Sequence, residues 1–253
     1  MKISIVIPVY NESQNIAQVL ERVIAAPLPP RCSKEIIVVD DGSVDGTTEL
    51  LDRFDPNANL IIHHSILNLG KGSAIRIGIT KASGEIILVQ DGDLEYNPEE
   101  YPAILQPIVD GRSTVVYGSR FQGRPQGMKL AHWCANKILT WTTNLLFDAR
   151  ITDEATAYKA FRAEALRSID LRCRRFEFCP EVTAKLLRLG HEIHEVPISY
   201  NARGLMEGKK IRWHDGVQAL WTLLKYRFVA VRSFTPELAP QLAAEKHAAG
   251  VSR

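Results

Sequence analysis

The first ninety residues repeat one unit: a short β-branched run that ends on a polar loop and gives way to a helical pattern. The runs are ISIVIP at 3–8, EIIVVD at 35–40, NLIIHH at 59–64 and EIILVQD at 85–91. Strands this apolar on both faces must be covered by helices on both sides, which points to an α/β fold with a mostly parallel central sheet. The helical stretch after the first run carries Ile16, Val19, Leu20, Val23 and Ile24 on one face. Further strands are expected at 113–118 and 194–200, and further helices at 129–147, 180–190 and 214–231. With no repeat and no linker, residues 1–232 read as a single domain. Residues 233–253, Ala-rich and carrying two prolines, read as a mobile tail.

Composition excludes several classes. A 253-residue chain with 45% hydrophobic and 24% charged residues can bury a sizeable core. Its net charge of +2 gives no reason to expect nucleic acid as a partner. Cys32, Cys134, Cys173 and Cys179 form no CxxC pair, so neither a disulfide framework nor a zinc site is expected, and a reducing compartment fits. No apolar stretch reaches the roughly 18 residues of a spanning helix, and no secretory leader pattern precedes the first strand. The expectation is a cytoplasmic protein, peripheral at the inner face of a membrane if it meets one.

In open parallel sheets ligands gather beyond the carboxyl ends of the strands. There the chain places Asn11-Glu12, Asp40-Asp41-Gly42-Ser43, Asn68 to Gly72 and Asp91-Gly92-Asp93. The two carboxylates Asp91 and Asp93 suit a hard divalent cation bridging phosphate oxygens; a turn with two solvated aspartates has the same sequence. Asp40 and Asp41 could accept hydrogen bonds from a ribose or base edge, while Ser43 or Asp45 could equally cap a helix near Thr47. Lys71, between two glycines, reads either as an ammonium near a phosphate or as a solvated lysine in a turn. Neither GxGxxG nor GxxxxGK[ST] is present, which disfavours NAD-type and P-loop sites.

The motifs come as an ordered set: PVYNE at 8–12, DDGSVDGT at 40–47, NLGKGSA at 68–74, QDGDLEY at 90–96 and GSR at 118–120. ITDEATAYKAF (151–161), FEFCPEVTAKLL (176–187), EVPISY (195–200) and EGKKIRWHDG (207–216) follow. Together they resemble the family 2 glycosyltransferases with a GT-A Rossmann-like fold, of the dolichyl-phosphate mannose synthase or polyprenyl-phosphate glycosyltransferase type. The resemblance covers about residues 1–232 and implies a nucleotide-sugar-binding half at 1–120 and an acceptor half at 121–232. It implies that Pro8, Tyr10, Glu12 and Asp41 line the nucleoside pocket, and that Asp91 and Asp93 bracket Mg²⁺ or Mn²⁺ and the diphosphate. Arg120, with Lys129 or His132, would face an acceptor phosphate, and Arg203 and Lys209 would lie on a loop over the donor. Ala157 stands where the family often has glycine, Glu95 is the candidate third member of the metal motif, and the C-terminal membrane helices of many relatives are absent.

The implied reaction is an inverting transfer from a GDP- or UDP-sugar to a polyprenyl phosphate. A phosphate monoester, with a second pKa of about 6, needs no strong base at neutral pH. A hydroxyl acceptor needs one, and Asp153, Glu154 or Glu177 could serve; a non-catalytic nucleotide-sugar-binding protein is the reading from another class. From Arg203 to Arg232 seven basic residues face two acids. Val217, Leu220, Trp221, Leu224, Phe228 and Val231 recur there at helical spacing, as do Leu130, Trp133, Ile138, Trp141 and Leu145 earlier. Such a C-terminal amphipathic helix could lie in an anionic lipid interface, line the core or form a dimer contact.

Overall fold

A computed structural model describes residues 1–54, 59–123, 125–202 and 213–231. Strand β1 (Lys2–Val9) leads to helix α1 (Ile16–Ala25), β2 (Ser33–Asp40), α2 (Thr47–Leu51), β3 (Leu60–His64), α3 (Lys71–Lys81) and β4 (Ile86–Val89). The second half holds α4 (Tyr101–Val109), β5 (Val115–Ser119), β6 (Pro125–Gln126), α5 (Leu130–Phe147), β7 (Lys159–Arg162) and α6 (Ala163–Arg167). It ends with α7 (Phe178–Arg188), β8 (Ile193–Pro197), β9 (Tyr200–Asn201) and α8 (Trp213–Phe228).

Among the described residues one sheet runs in the order β3-β2-β1-β4-β7-β5-β8. The pairs β3/β2, β2/β1, β1/β4 and β5/β8 are parallel, whereas β7 is antiparallel to both β4 and β5. The expected parallel α/β sheet is therefore present, with one reversed strand that periodicity does not announce. KAFR is four residues long and begins with a lysine, too short and too polar for an apolar-run signal.

Ile5, Ile7, Ile36, Val38, Ile86 and Leu88 point to one side of the sheet and join α1 and α4 in one core cluster. Val6, Ile37, Val39, Ile87 and Val89 point to the other side, against α3 and α7. Both faces of β1, β2 and β4 are covered, which is why those runs are continuously apolar. Gly78 on α3 lets the helix lie on β1, since a Cβ there would collide with Val6.

A third, smaller cluster joins Leu139 of α5, Ala184 of α7 and Ala219, Leu223 and Tyr226 of α8. Of the apolar stripes read from the sequence of α5 and α8, Leu220 packs against this cluster, but most of the others do not. Leu130, Trp133, Ile138, Trp141 and Leu145 of α5, and Val217, Trp221, Leu224 and Phe228 of α8, are exposed. Among the described residues no helix is long and apolar enough to cross a membrane.

Candidate active site

The loops that leave β1, β2 and β3 are bonded to one another in series. Asn11, in the left-handed region at φ 49°, donates its N–H to Ser43 Oγ at 2.9 Å, and its Oδ1 accepts from the Val44 N–H at 2.9 Å. The Glu12 N–H donates to Thr47 Oγ1 at 2.9 Å, and the Ser13 N–H to Asp45 Oδ2 at 3.1 Å. Asp41 then accepts the N–H groups of Leu69 at 2.9 Å and Gly70 at 2.7 Å, tying the second loop to the third. Gly70 needs its glycine: its φ is +95°, and a Cβ would strike the Arg174 carbonyl.

The two neighbouring aspartates have different duties. Asp40 is enclosed and accepts from the Ser43 N–H, Thr48 Oγ1 and His64 Nδ1. Burial pushes its pKa up, but these donors outweigh it and hold the carboxyl below its ordinary range. For Asp41 burial wins over the Leu69 and Gly70 donors, with help from the charge of Asp40, and its pKa is raised.

Asp91 and Asp93 follow β4 directly. Gln90, fully buried, fixes the strand end: its Oε1 accepts from Tyr101 Oη at 2.9 Å and Tyr158 Oη at 2.6 Å, and its Nε2 donates to the Asp91 carbonyl. Asp93 Oδ1 accepts from the Glu95 N–H at 3.0 Å. Asp91 Oδ1 lies 2.5 Å from Lys71 Nζ and, although enclosed, forms no well-aligned hydrogen bond. Two carboxylates at one strand end, one of them held by an ammonium, are a hard oxygen donor set that fits a divalent cation. Among the described residues no group of three His, Cys, Asp or Glu forms a complete metal cage. Glu95 Oε2 accepts from Tyr200 Oη at 2.8 Å.

A second cluster gathers at the end of β5. Arg120 and Asp153, 6% and 0% exposed, form a bidentate pair: Nε to Oδ2 and Nη2 to Oδ1, both 2.7 Å, with the Arg120 N–H on Oδ2 at 3.0 Å. Glu195 of β8 holds this arrangement by accepting the N–H groups of Thr152 at 2.7 Å and Asp153 at 3.0 Å. In the sequence Glu195 stands only as the first residue of EVPISY, with no role given to it. Burial would lower the Arg120 pKa, but Tyr96 and Asp153 more than offset it, so the guanidinium stays charged.

Behind the pair, Glu154 is fully buried and neither carboxylate oxygen makes a well-formed hydrogen bond. Burial pushes its pKa up to about 7, Lys159 pulls it down, and the charge of Asp153 raises it again. Lys159, also fully buried, donates to the Glu154 carbonyl at 2.8 Å and stands 3.3 Å above the Tyr117 ring. Glu177 accepts the N–H groups of Arg174 at 2.8 Å and Arg175 at 3.0 Å.

Tyr96 connects the two clusters. It stacks on Tyr158 with centroids 4.6 Å apart and tilts against Tyr200, above whose ring the Arg120 guanidinium lies at 5.1 Å. Burial lifts its pKa to about 12, Arg120 opposes the rise, and Asp91 and Asp153 add to it, so both clusters act on one phenol. Pro8 and Glu12 are buried beside the first loop and Tyr10 is half-buried. Lys129, at the start of α5, is exposed, and His132 is half-buried. Arg203 and Lys209 lie outside the described residues, as does the 233–253 tail.

Residues 4–170 match the model of the family described as glycosyl transferase family 2. An undecaprenyl-phosphate mannosyltransferase of Micrococcus luteus is 30% identical over 253 residues, covering 90% of this chain and 99% of that protein. A dodecaprenyl-phosphate galacturonate synthase of Rhizobium johnstonii is 28% identical over 208 residues and 80% of this chain, which spans 60% of that relative's length. The glucosyl-3-phosphoglycerate synthase of Mycobacterium tuberculosis, crystallised with Mn²⁺ and UDP-glucose, superposes with a TM-score of 0.69 at 20% identity, over 90% of this chain and 80% of that one. That likeness is one of fold and makes the architecture GT-A. With the family model matched over more than half of its length, the chain belongs to glycosyl transferase family 2.

Proposed function

We propose that the chain moves a sugar, with inversion, from a GDP- or UDP-sugar to a polyprenyl phosphate at a membrane surface, and that it needs Mg²⁺ or Mn²⁺. The observation that carries the acceptor assignment is the state of three carboxylates. Asp153 is committed to Arg120, Glu177 to two backbone N–H groups, and Glu154 is sealed from solvent. None is poised to take a proton from a hydroxyl, whereas a phosphate acceptor arrives ionised and needs no base. The Micrococcus and Rhizobium relatives, both named for transfer to polyprenyl phosphates, support the same acceptor.

Residues 1–232 work as one domain in this reading, with 1–120 holding the donor and 121–232 the acceptor. Asp41, with Pro8, Tyr10 and Glu12, lines the nucleoside pocket. Lys71 and the N-terminus of α3 draw the diphosphate, a role that the family resemblance also gives to Arg203 and Lys209. Asp91 and Asp93 would hold a divalent cation, whose charge would stabilise the departing diphosphate. Asp153 uses Nε and Nη2 of Arg120, so Nη1 is the guanidinium nitrogen that would meet the acceptor phosphate. The exposed aromatic faces of α5 and α8, with Lys129, Lys225 and Arg227 on the same helices or at their ends, suit an anionic lipid interface that presents the acceptor.

The test is release of nucleoside diphosphate from GDP-mannose, UDP-glucose and related donors, with and without a short polyprenyl phosphate and Mn²⁺ or Mg²⁺. Release that requires lipid phosphate and metal together is the expected result. Release driven by a soluble hydroxyl acceptor, with the lipid inert, would overturn the acceptor assignment.

A further inference from the structure

Lys71 occupies the first position of α3, whose first turn contains no acidic residue. The N-terminal end of the helix already carries positive partial charge, partly answered by Asp41 at the Gly70 N–H and by the Arg174 carbonyl at the Ser73 N–H, and Lys71 adds a full cation to the same corner. The carboxylate paired with the ammonium comes from another loop: Asp91 Oδ1, 2.5 Å from Lys71 Nζ, with the side chains 14% and 27% exposed. That oxygen is enclosed and makes no well-aligned hydrogen bond. The inference rests on the metal reading above, in which Asp91 is one of the two carboxylates that take a divalent cation. An ammonium and a dication then want the same oxygen, and in a partly desolvated corner they repel strongly at such range.

We propose that Lys71 is a built-in counter-ion to Asp91 that disfavours loading of a bare metal ion and yields the carboxylate only when a nucleoside diphosphate draws the lysine away. The diphosphate offers several charged acceptors to an ammonium on a flexible four-carbon stem, and it satisfies the same helix terminus. The exchange involves the side chain alone. The backbone on either side is clamped, since a Cβ at Gly70 or Gly72 would collide with the carbonyls of Arg174 and Arg175. Metal and nucleotide therefore bind with positive coupling, each raising the affinity for the other by the same factor.

The experiment measures Mn²⁺ binding to the full chain by electron paramagnetic resonance of the free ion, alone and with saturating UDP or GDP. Wild type is compared with Lys71→Met, which keeps the stem without the charge, and with Lys71→Arg. Lys71→Gln and thermal unfolding guard against misfolding of the first variant. The expected result is that Lys71→Met binds Mn²⁺ alone about tenfold more tightly than wild type, while nucleotide improves its Mn²⁺ affinity by correspondingly less; Lys71→Arg behaves as wild type. Equal or weaker bare-ion binding by folded Lys71→Met and Lys71→Gln, with nucleotide-supported Mn²⁺ binding intact in wild type, overturns the counter-ion role alone. Absence of Mn²⁺ binding by every form with either nucleotide overturns the metal reading and this inference with it.

Discussion

The two halves of the molecule distribute polarity in opposite ways. In the first, α1 buries Ile16, Val19, Leu20 and Val23 against a sheet that is apolar on both faces. In the second, the eighteen-residue α5 buries Leu139, Thr140 and Thr143 and leaves Trp133, Ile138, Trp141 and Leu145 outside, as α8 leaves Trp221 and Phe228. Buried acids occur in both halves, Glu12, Glu35, Asp40 and Asp41 in the first among them, but among the described residues the buried basic side chains, Arg120, Lys159 and Lys185, all lie in the second. An apolar stripe on a helix reports a core only where a sheet face is available to receive it. Here α5 and α8 pack on each other and on α7 through Leu139, Ala219, Leu223 and Tyr226, and leave their tryptophans on the surface.

The sharpest way to break this comparison is to remove a charge from the second interior. Arg120→Ala leaves Asp153 buried without a countercharge, held only through backbone N–H, and should cost about 3–5 kcal/mol, read by urea unfolding. The double variant Arg120→Met/Asp153→Leu should recover most of that loss. A cost under about 1 kcal/mol for Arg120→Ala would mean that the pair is solvated and that the two interiors are alike.

On the donor side the effect should fall on turnover instead. Asp93→Ala should lower diphosphate release by about 10²–10³ with little change in unfolding midpoint, since the group acts on developing charge and not on packing. Equal activity with and without the substitution would remove Asp93 from the reaction.

Glu154 gives the third test. Its carboxyl is neutral in the folded chain below about 7 and ionises in the unfolded chain above about 4.5. Unfolding therefore releases a proton between those values, and this group lowers stability as pH rises through that window, by up to about 3 kcal/mol, then stays level. Glu154→Gln should be about 2 kcal/mol more stable than wild type at pH 8 and nearly equal at pH 4, with the slope between flattened. A parallel pH dependence in both proteins would show that Glu154 is paired or hydrated.

The smallest effect belongs to the outer face. Trp141→Ser and Trp221→Ser should each change stability by no more than about 0.5 kcal/mol, while partition onto anionic vesicles drops about tenfold per substitution. Vesicle binding that is unchanged, with loss of a dimer in sedimentation instead, would reassign the face to a second copy of the chain.

How far the sequence was readable follows the same division. Continuous β-branched runs led directly to β1, β2 and β4, because strands covered on both faces leave no polar positions to confuse the period. The polar residues just past them, Asn11, Asp41, Lys71 and Asp91, do meet through hydrogen bonds or ion pairs across successive loops. Strand β7 was unreadable: four residues beginning with a lysine look like a loop, and only the cation's place over Tyr117 and against the Glu154 carbonyl makes the position tolerable in a sheet.

By itself, then, the sequence determined the α/β architecture, the strand-end positions of the polar motifs and their ordered resemblance to a family, because these depend on periodicity and spacing along the chain. Tertiary structure alone decided that Arg120 is bound to Asp153, that Glu195 holds them, that Lys71 faces Asp91, and that the tryptophan stripes point outward. Each of these is a contact or a burial between segments far apart in the chain, and hydrophobic period records that a helix has an apolar face without recording what covers it.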